Sequence, residues 1–220
     1  MEVGHVSAII SAVAGISGVL LGNSFVAFKE WHVSRAKRQK ETVYLAIIVV
    51  SHLDRFVEGC LNVARDDGTE CGRPASDNEE EYVPTTTPPE FRPLDIEVEW
   101  KMLPQNLLHS IFQLPDQRQK IQGKLAEIME FDSDYPDHTE YFHTRRRDYA
   151  ELGLQAAALA QRLRSHSGLP LKSHVPGEWN QSEDLADVIK DIDNARDAQI
   201  RRDAENPFDL DIISASRSAA

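Results

Sequence analysis

A run of 23 residues without a charged side chain, from Val6 to Phe28, limits more than any other feature what this chain can form. An α-helix rises about 1.5 Å per residue, so this run would extend for about 35 Å and cross the apolar core of a bilayer. The polar residues within it are Asn23 and small serines, whose hydroxyls can bond to carbonyl groups of the preceding turn. We therefore predict one transmembrane helix, which anchors the chain, within residues 1–28.

Other roles for this run fit the sequence less well. A cleaved signal peptide begins with basic residues and has a shorter apolar region, whereas this chain begins Met-Glu-Val-Gly-His. A lipoprotein signal needs a cysteine to accept the lipid, but Asn23 follows Leu20, Leu21 and Gly22. A buried helix of a soluble core stays open as a third alternative, although a glycine-rich run is less natural there.

Basic residues follow the run, and no Lys or Arg precedes it. Together with one tryptophan, the predicted membrane-surface residues are Lys29, Trp31, Arg35, Lys37, Arg38 and Lys40. Lys and Arg are enriched on the cytoplasmic side of membrane proteins. We therefore predict a single-pass protein of the inner or plasma membrane, with its N-terminus outside and its C-terminal domain in the cytoplasm. Trp31 suits the membrane interface, and the basic side chains suit contact with lipid headgroups.

Small residues spaced four apart form two ridges along the predicted span. One ridge is Ala14, Gly18 and Gly22, and the other is Ser7, Ser11 and Gly15. In lipid, small residues allow the backbones of two helices to approach closely. The ridges therefore predict self-association or pairing with another membrane helix. The alternative is that they reflect only the high glycine and alanine content of membrane helices.

Residues 29–65 are predicted to form a juxtamembrane segment and the first long helix of a bundle. Apolar residues recur there every seven positions, at Val43, Val50, Val57 and Ala64. This spacing is typical of one buried helix face. The β-branched run at 45–50 would also suit a strand, but the heptad continues on both sides of it and favours a helix over 41–65.

Residues 66–99 are predicted to form an acidic, proline-rich flexible loop. The segment holds five prolines, and 11 acidic residues against two basic ones. Such a composition buries too little apolar surface to become ordered. The alternative role is an extended arm that binds a partner.

Residues 100–171 are predicted to complete the bundle. Two short amphipathic helices are expected to meet at Pro115, and a long helix is expected over 138–167. Gly168 and Pro170 are residues that commonly end a helix.

Residues 172–220 are predicted to be a polar tail with one marginal amphipathic helix over 182–204. The predicted fold class is therefore all-α. It consists of an N-terminal single transmembrane helix followed by a small cytoplasmic helical bundle with an acidic disordered loop.

The composition and spacing argue against several kinds of site. A net charge of -12 argues against nucleic acid as a partner, because phosphate backbones are bound mainly by Lys and Arg. Cys60 and Cys71 lack the close pairing of zinc ligands and are expected to stay reduced. His138 and His143 are five residues apart, whereas the zinc-protease motif needs a spacing of four. No metal or other cofactor is predicted.

A basic triplet, Arg145, Arg146 and Arg147, stands in an otherwise acidic domain. It is a candidate contact for an anion or a protein partner. Carboxylates one turn away at Glu140 and Glu151 favour a solvated helix face as the alternative.

The sequence predicts a membrane-tethered helical module for protein interaction or scaffolding, without an evident catalytic site. Its predicted partners are the lipid bilayer and either another protein or a second copy of itself. One alternative is an oligomeric protein that perturbs the membrane or forms a pore. Another is an enzyme with an unrecognised site near His138, His143 and Arg145.

Overall fold

The structure, a computed structural model, describes residues 3–172 and 180–205; the side chains of residues 3–28, 203 and 205 lie outside that description. The helices of the described part are α1 (Val3–Arg65), α2 (Gln105–Glu130), α3 (Thr139–Ser167) and α4 (Gln181–Glu205). Its remaining regular elements are the antiparallel pair β1 (Thr69–Glu70) and β2 (Arg73–Pro74), and two 3₁₀ turns, Pro93–Asp95 and Trp100–Met102. Helix dominates, so the predicted all-α class is confirmed.

Helix α1 is unbroken over 63 residues, a length of about 95 Å. Every side chain from 29 to 41 is exposed, and burial in the bundle begins at Thr42. The run at 45–50 is helical, as its heptad predicts, and not a strand. Residues 29–41, which we call the stalk, therefore connect the N-terminal stretch to the bundle without a bend-forming proline or glycine.

Among the described residues, no helix is long and apolar enough to cross a membrane. The predicted span Val6–Phe28 has its backbone within α1, but its side chains lie outside the described residues. The same holds for the six small residues of its two predicted ridges. The span and its packing surfaces therefore stay predictions.

The core of the bundle lies between α1 and α3, which run antiparallel. The Nε2 of Gln39, three residues before the packed part of α1, donates to the Ser167 carbonyl, 3.3 Å away, at the end of α3. Farther along, a Cβ on Gly153 would lie 3.0 Å from the Cβ of Cys60, so the two helices approach closely there. Cys60 is buried and Cys71 is exposed, and neither is in a disulfide.

Helix α2 differs from the prediction, because it continues through Pro115 instead of dividing there. Proline removes one backbone donor from a helix and usually kinks or ends it. Here the residues before and after the proline share one buried side: Leu107, Ile111, Leu114 and Leu125. Burial of this stripe against the bundle offsets the lost hydrogen bond.

The acidic segment 66–99 corrects a second expectation, because part of it is packed in the core instead of disordered. Phe91, Pro93 and Ile96 are buried. The ring of Phe91 lies 5.7 Å from that of Phe56 in α1, measured between centroids. The acidic residues dominate the composition, but these few apolar ones are enough to fix the segment to the bundle.

Helix α4 covers the α1–α3 pair. Its Leu185 and Ile192 are almost fully buried, and a Cβ on Gly153 would lie 3.0 Å from Leu185. Arg196 is ion-paired with Glu140 of α3 at 2.6 Å. The marginal helix expected over 182–204 is therefore present with nearly those bounds, and its apolar side docks on the bundle.

Two helical glycines provide a matched test of this packing. A Cβ at Gly59 would lie 2.5 Å from the Cβ of Pro89, whereas a Cβ at Gly123 would meet nothing within 4 Å. Gly59→Ala is therefore expected to lower the free energy of unfolding by about 1–3 kcal/mol. Gly123→Ala is expected to raise it by about 0.5–1 kcal/mol, because alanine favours the helix. Urea denaturation of the full chain in mild detergent measures both, and equal effects would contradict the close contact at Gly59.

Candidate functional site

An ion pair between Asp66 and Arg145 is buried inside the bundle. Each side chain is only 1% exposed, and the Nη1 of Arg145 lies 2.8 Å from the Oδ2 of Asp66. Asp66 directly follows the last residue of α1, and Arg145 lies on the core side of α3. The pair therefore joins the end of one helix to the first turns of another.

The acidic segment supplies the remaining partners of this pair. The Asp66 carboxylate accepts hydrogen bonds from the backbone of Gly68 at 3.1 Å, Thr85 at 3.0 Å and Thr86 at 2.9 Å, and from the Thr85 hydroxyl at 2.9 Å. Arg145 donates its second nitrogen to the carbonyl of Thr86 at 2.6 Å. Burial alone would raise the pKa of Asp66, but these N–H donors and the guanidinium outweigh it and lower the pKa.

The other two arginines of the predicted anion-binding triplet also have partners within the chain. Arg146 donates from Nε to the carbonyl of Ala64 at 2.9 Å. Arg147 is ion-paired with Asp193 of α4 at 2.8 Å and with Glu151 at 2.7 Å. The triplet thus holds α1, α3 and α4 together, and the expectation of a solvated face is wrong for Arg145.

The sequence did contain a signal for this role of Arg145. It lies seven residues before Leu152 and fourteen before Leu159, in the same helical seam as these buried leucines. A charged residue in an apolar seam needs a buried partner. That partner, Asp66, could not be identified because it is distant in the sequence.

A second cluster surrounds His138, which precedes α3 in the left-handed conformation with φ at 50°. Its Nδ1 is hydrogen-bonded to Asp132 in the turn after α2, and its Nε2 lies 3.2 Å from a carboxylate oxygen of Glu81. Beside them the backbone N–H of Tyr82 donates to the carbonyl of Pro136 at 3.1 Å. His138 therefore connects the acidic segment to the α2–α3 turn.

The two carboxylates favour the protonated form of His138. Burial by itself would lower the pKa of the imidazole, but the hydrogen bonds to Asp132 and Glu81 and their charges raise it above its ordinary value. His143 has a different setting: burial and the nearby Arg196 lower its pKa. The two histidines proposed for an enzymatic site thus have different neighbours and opposite shifts.

Metal binding at these residues gains no support. Among the described side chains, those of residues 29–172, 180–202 and 204, no group of three His, Cys, Asp or Glu is arranged to hold a metal ion. Both ring nitrogens of His138 already have carboxylate partners.

The predicted membrane-surface residues of the exposed stalk make two kinds of contact, one with an aromatic ring and one with a carboxylate. The guanidinium of Arg35 lies over the ring of Trp31, 5.4 Å from its centroid. These two residues, with Glu30, Ser34 and Arg38, line a shallow hollow of about 410 Å³. Elsewhere on the stalk, the ammonium of Lys37 lies 3.8 Å from the carboxylate of Glu41.

A second hollow, of about 600 Å³, lies where the stalk enters the bundle. Its lining combines an apolar base with a charged edge: Lys40, Glu41, Tyr44, Leu45, Glu97, Val98 and Glu99. Tyr44 and the nearby Ile47 are 65% and 52% exposed. The lining of this hollow therefore includes an exposed aromatic side chain.

Comparison of the chain with protein-family models, with curated proteins and with solved structures gave no match. The function must therefore be inferred from the chain's own residues.

Replacing one arginine of the triplet tests the buried ion pair. Arg145→Met is expected to lower the free energy of unfolding by about 3–5 kcal/mol, because it leaves the Asp66 carboxylate buried without its counterion. Arg147→Met, the matched control, removes partly exposed ion pairs and should cost about 1 kcal/mol or less. Urea denaturation of the full chain in mild detergent gives both values. Similar losses in the two variants would contradict the special role of the Asp66–Arg145 pair.

The His138 cluster predicts a pH dependence of stability with a defined sign. Because the folded pKa of His138 is raised, its stabilisation is complete below about pH 6.5 and is lost as the pH rises through the folded pKa. His138→Gln should remove this loss from the pH profile of the urea midpoint. His143 has a lowered pKa, so its contribution is lost as the pH falls, and His143→Gln should change only the acidic side. An unchanged alkaline decline in the His138 variant would refute the prediction.

Proposed function

We propose that this chain is a membrane-tethered helical interaction module. Residues 6–28 anchor it in the bilayer, and the bundle holds a contact surface for a protein partner or a second copy near the membrane. The proposal assigns no catalytic role to the chain.

The continuity of α1 carries this proposal. One helix contains both the charge-free stretch at 6–28 and the principal core helix of the bundle, through Arg65. Between them the exposed stalk holds five Lys and Arg residues against two Glu. A basic segment next to an apolar helix is what the cytoplasmic side of a membrane anchor requires. This arrangement supports a bundle held at a short distance from the bilayer.

The hollow around Tyr44 supports the interaction part of the proposal. It lies at the end of the bundle nearest the stalk, and Tyr44 and Ile47 expose apolar surface beside it. Its edge carries both signs of charge: Lys40 lines it, and Glu41 and Glu99 are ion-paired with Lys37 and Lys101. These features suit a helix or segment with an apolar face.

Carbonate extraction of membranes from expressing cells tests the anchor. The wild-type chain is expected to stay in the membrane pellet. Ile16→Lys combined with Val19→Lys should release most of it, since each lysine at a helix centre costs about 2.5–3.5 kcal/mol on insertion. Ser51→Lys combined with Glu58→Lys adds lysines at exposed positions of the same helix and should leave the chain in the pellet. Release of the wild-type chain would refute the anchor.

The same membranes test the interaction role. A photo-crosslinking amino acid at Tyr44 is expected to give a discrete, larger species that mass spectrometry identifies as a dimer or a heteromer. The same group at Glu58, an exposed position outside the hollow, should give none. Monomer alone at both positions would refute the interaction role while leaving the anchor standing.

A further inference from the structure

We propose that one side of the stalk, formed by Trp31, Arg35 and Arg38, binds the phosphate of anionic phospholipid headgroups. We call these three residues the Trp-Arg strip. This inference rests on the proposed membrane anchor and names the lipid class that the stalk contacts.

The helical geometry separates the five basic residues of the stalk into different sides. At 3.6 residues per turn, Arg35 and Arg38 lie within about 40° of Trp31 around the helix axis. Lys37, Lys29 and Lys40 lie about 120°, 160° and 180° away from it. The sequence groups all five together, but the helix places only the two arginines beside the tryptophan.

The ion pairing of the stalk adds to this difference. Lys37 is paired with Glu41. Among the described residues, neither Arg35 nor Arg38 forms an ion pair. Glu30 lines the hollow beside them and removes part of the positive charge. Two guanidiniums against one carboxylate still leave the strip positive.

The chemistry of the strip suits a lipid phosphate. A guanidinium presents parallel N–H donors that match two phosphate oxygens, which a lysine ammonium cannot do. The contact between Arg35 and the Trp31 ring holds one guanidinium beside an indole. An indole prefers the boundary between apolar chains and headgroups, so it would position that guanidinium at the depth of the phosphates.

The heights of the strip residues place Trp31 in the headgroup region and the backbones of the two arginines beyond it. Trp31 lies three residues after Phe28, Arg35 seven and Arg38 ten, which are about 4.5 Å, 10.5 Å and 15 Å along the helix axis. The headgroup region extends about 5–8 Å beyond the apolar core on each side. Arg35 and Arg38 can extend their side chains back toward it while their backbones stay in water.

Native mass spectrometry of the full chain in mild detergent, with phosphatidylglycerol or phosphatidylcholine added, tests the inference. The wild-type chain should retain phosphatidylglycerol in preference to phosphatidylcholine. Arg35→Ser combined with Arg38→Ser should reduce retention of phosphatidylglycerol by about tenfold. Lys37→Ser combined with Lys40→Ser removes the same formal charge and should reduce it by about twofold or less.

Two results would overturn the inference without affecting the anchor. One is equal retention of the two lipids by the wild-type chain. The other is an equal loss in the arginine and lysine variants, which would show a general charge effect without a strip. Carbonate extraction of the same variants separates this failure from that of the proposed function, because a chain that stays in the pellet is still anchored.

Discussion

The bundle depends on one buried interaction, the ion pair between Asp66 and Arg145. Two charges without water cost several kcal/mol each unless their hydrogen bonds are complete. Completeness requires the backbone of Gly68, Thr85 and Thr86, which all belong to the acidic segment. The segment therefore takes its path over the bundle because the buried charges need its N–H and carbonyl groups. The few apolar side chains that follow, such as Phe91, continue the same attachment.

The regular part of the fold could be predicted because its signals are local. Heptad spacing in α1 and α3 appears within any few turns of sequence, and Gly168 ends α3 in the left-handed conformation, with φ at 76°. The expectations that failed depend on interactions between groups that are distant in the sequence. Pro115 stays within α2 because a buried stripe outweighs one missing hydrogen bond. The acidic segment is ordered at points where it meets residues far away in the chain.

The candidate site shows the same difference between local signals and contacts of residues that are far apart in the sequence. The sequence contains Arg145 in a seam of apolar residues, but 79 positions separate it from Asp66. His138 and Glu81 are 57 positions apart, and no pattern in either segment points to the other. For the stalk, the sequence supplied all five basic residues. Only the helix, by placing Arg35 over Trp31, shows which of them share a side with the indole.

Because α1 is unbroken, the number of residues in the stalk also fixes the rotation of the bundle about the helix axis. Each residue of a helix turns the chain by about 100° and advances it by about 1.5 Å. A residue added to or removed from the stalk would therefore rotate the whole bundle by more than a quarter turn about the helix axis, while changing its height very little. Under the proposed membrane anchor and the proposed contact surface near Tyr44, stalk length would act mainly as an angular setting for the bundle. These thirteen residues would determine the direction in which the bundle faces more than its distance from the membrane.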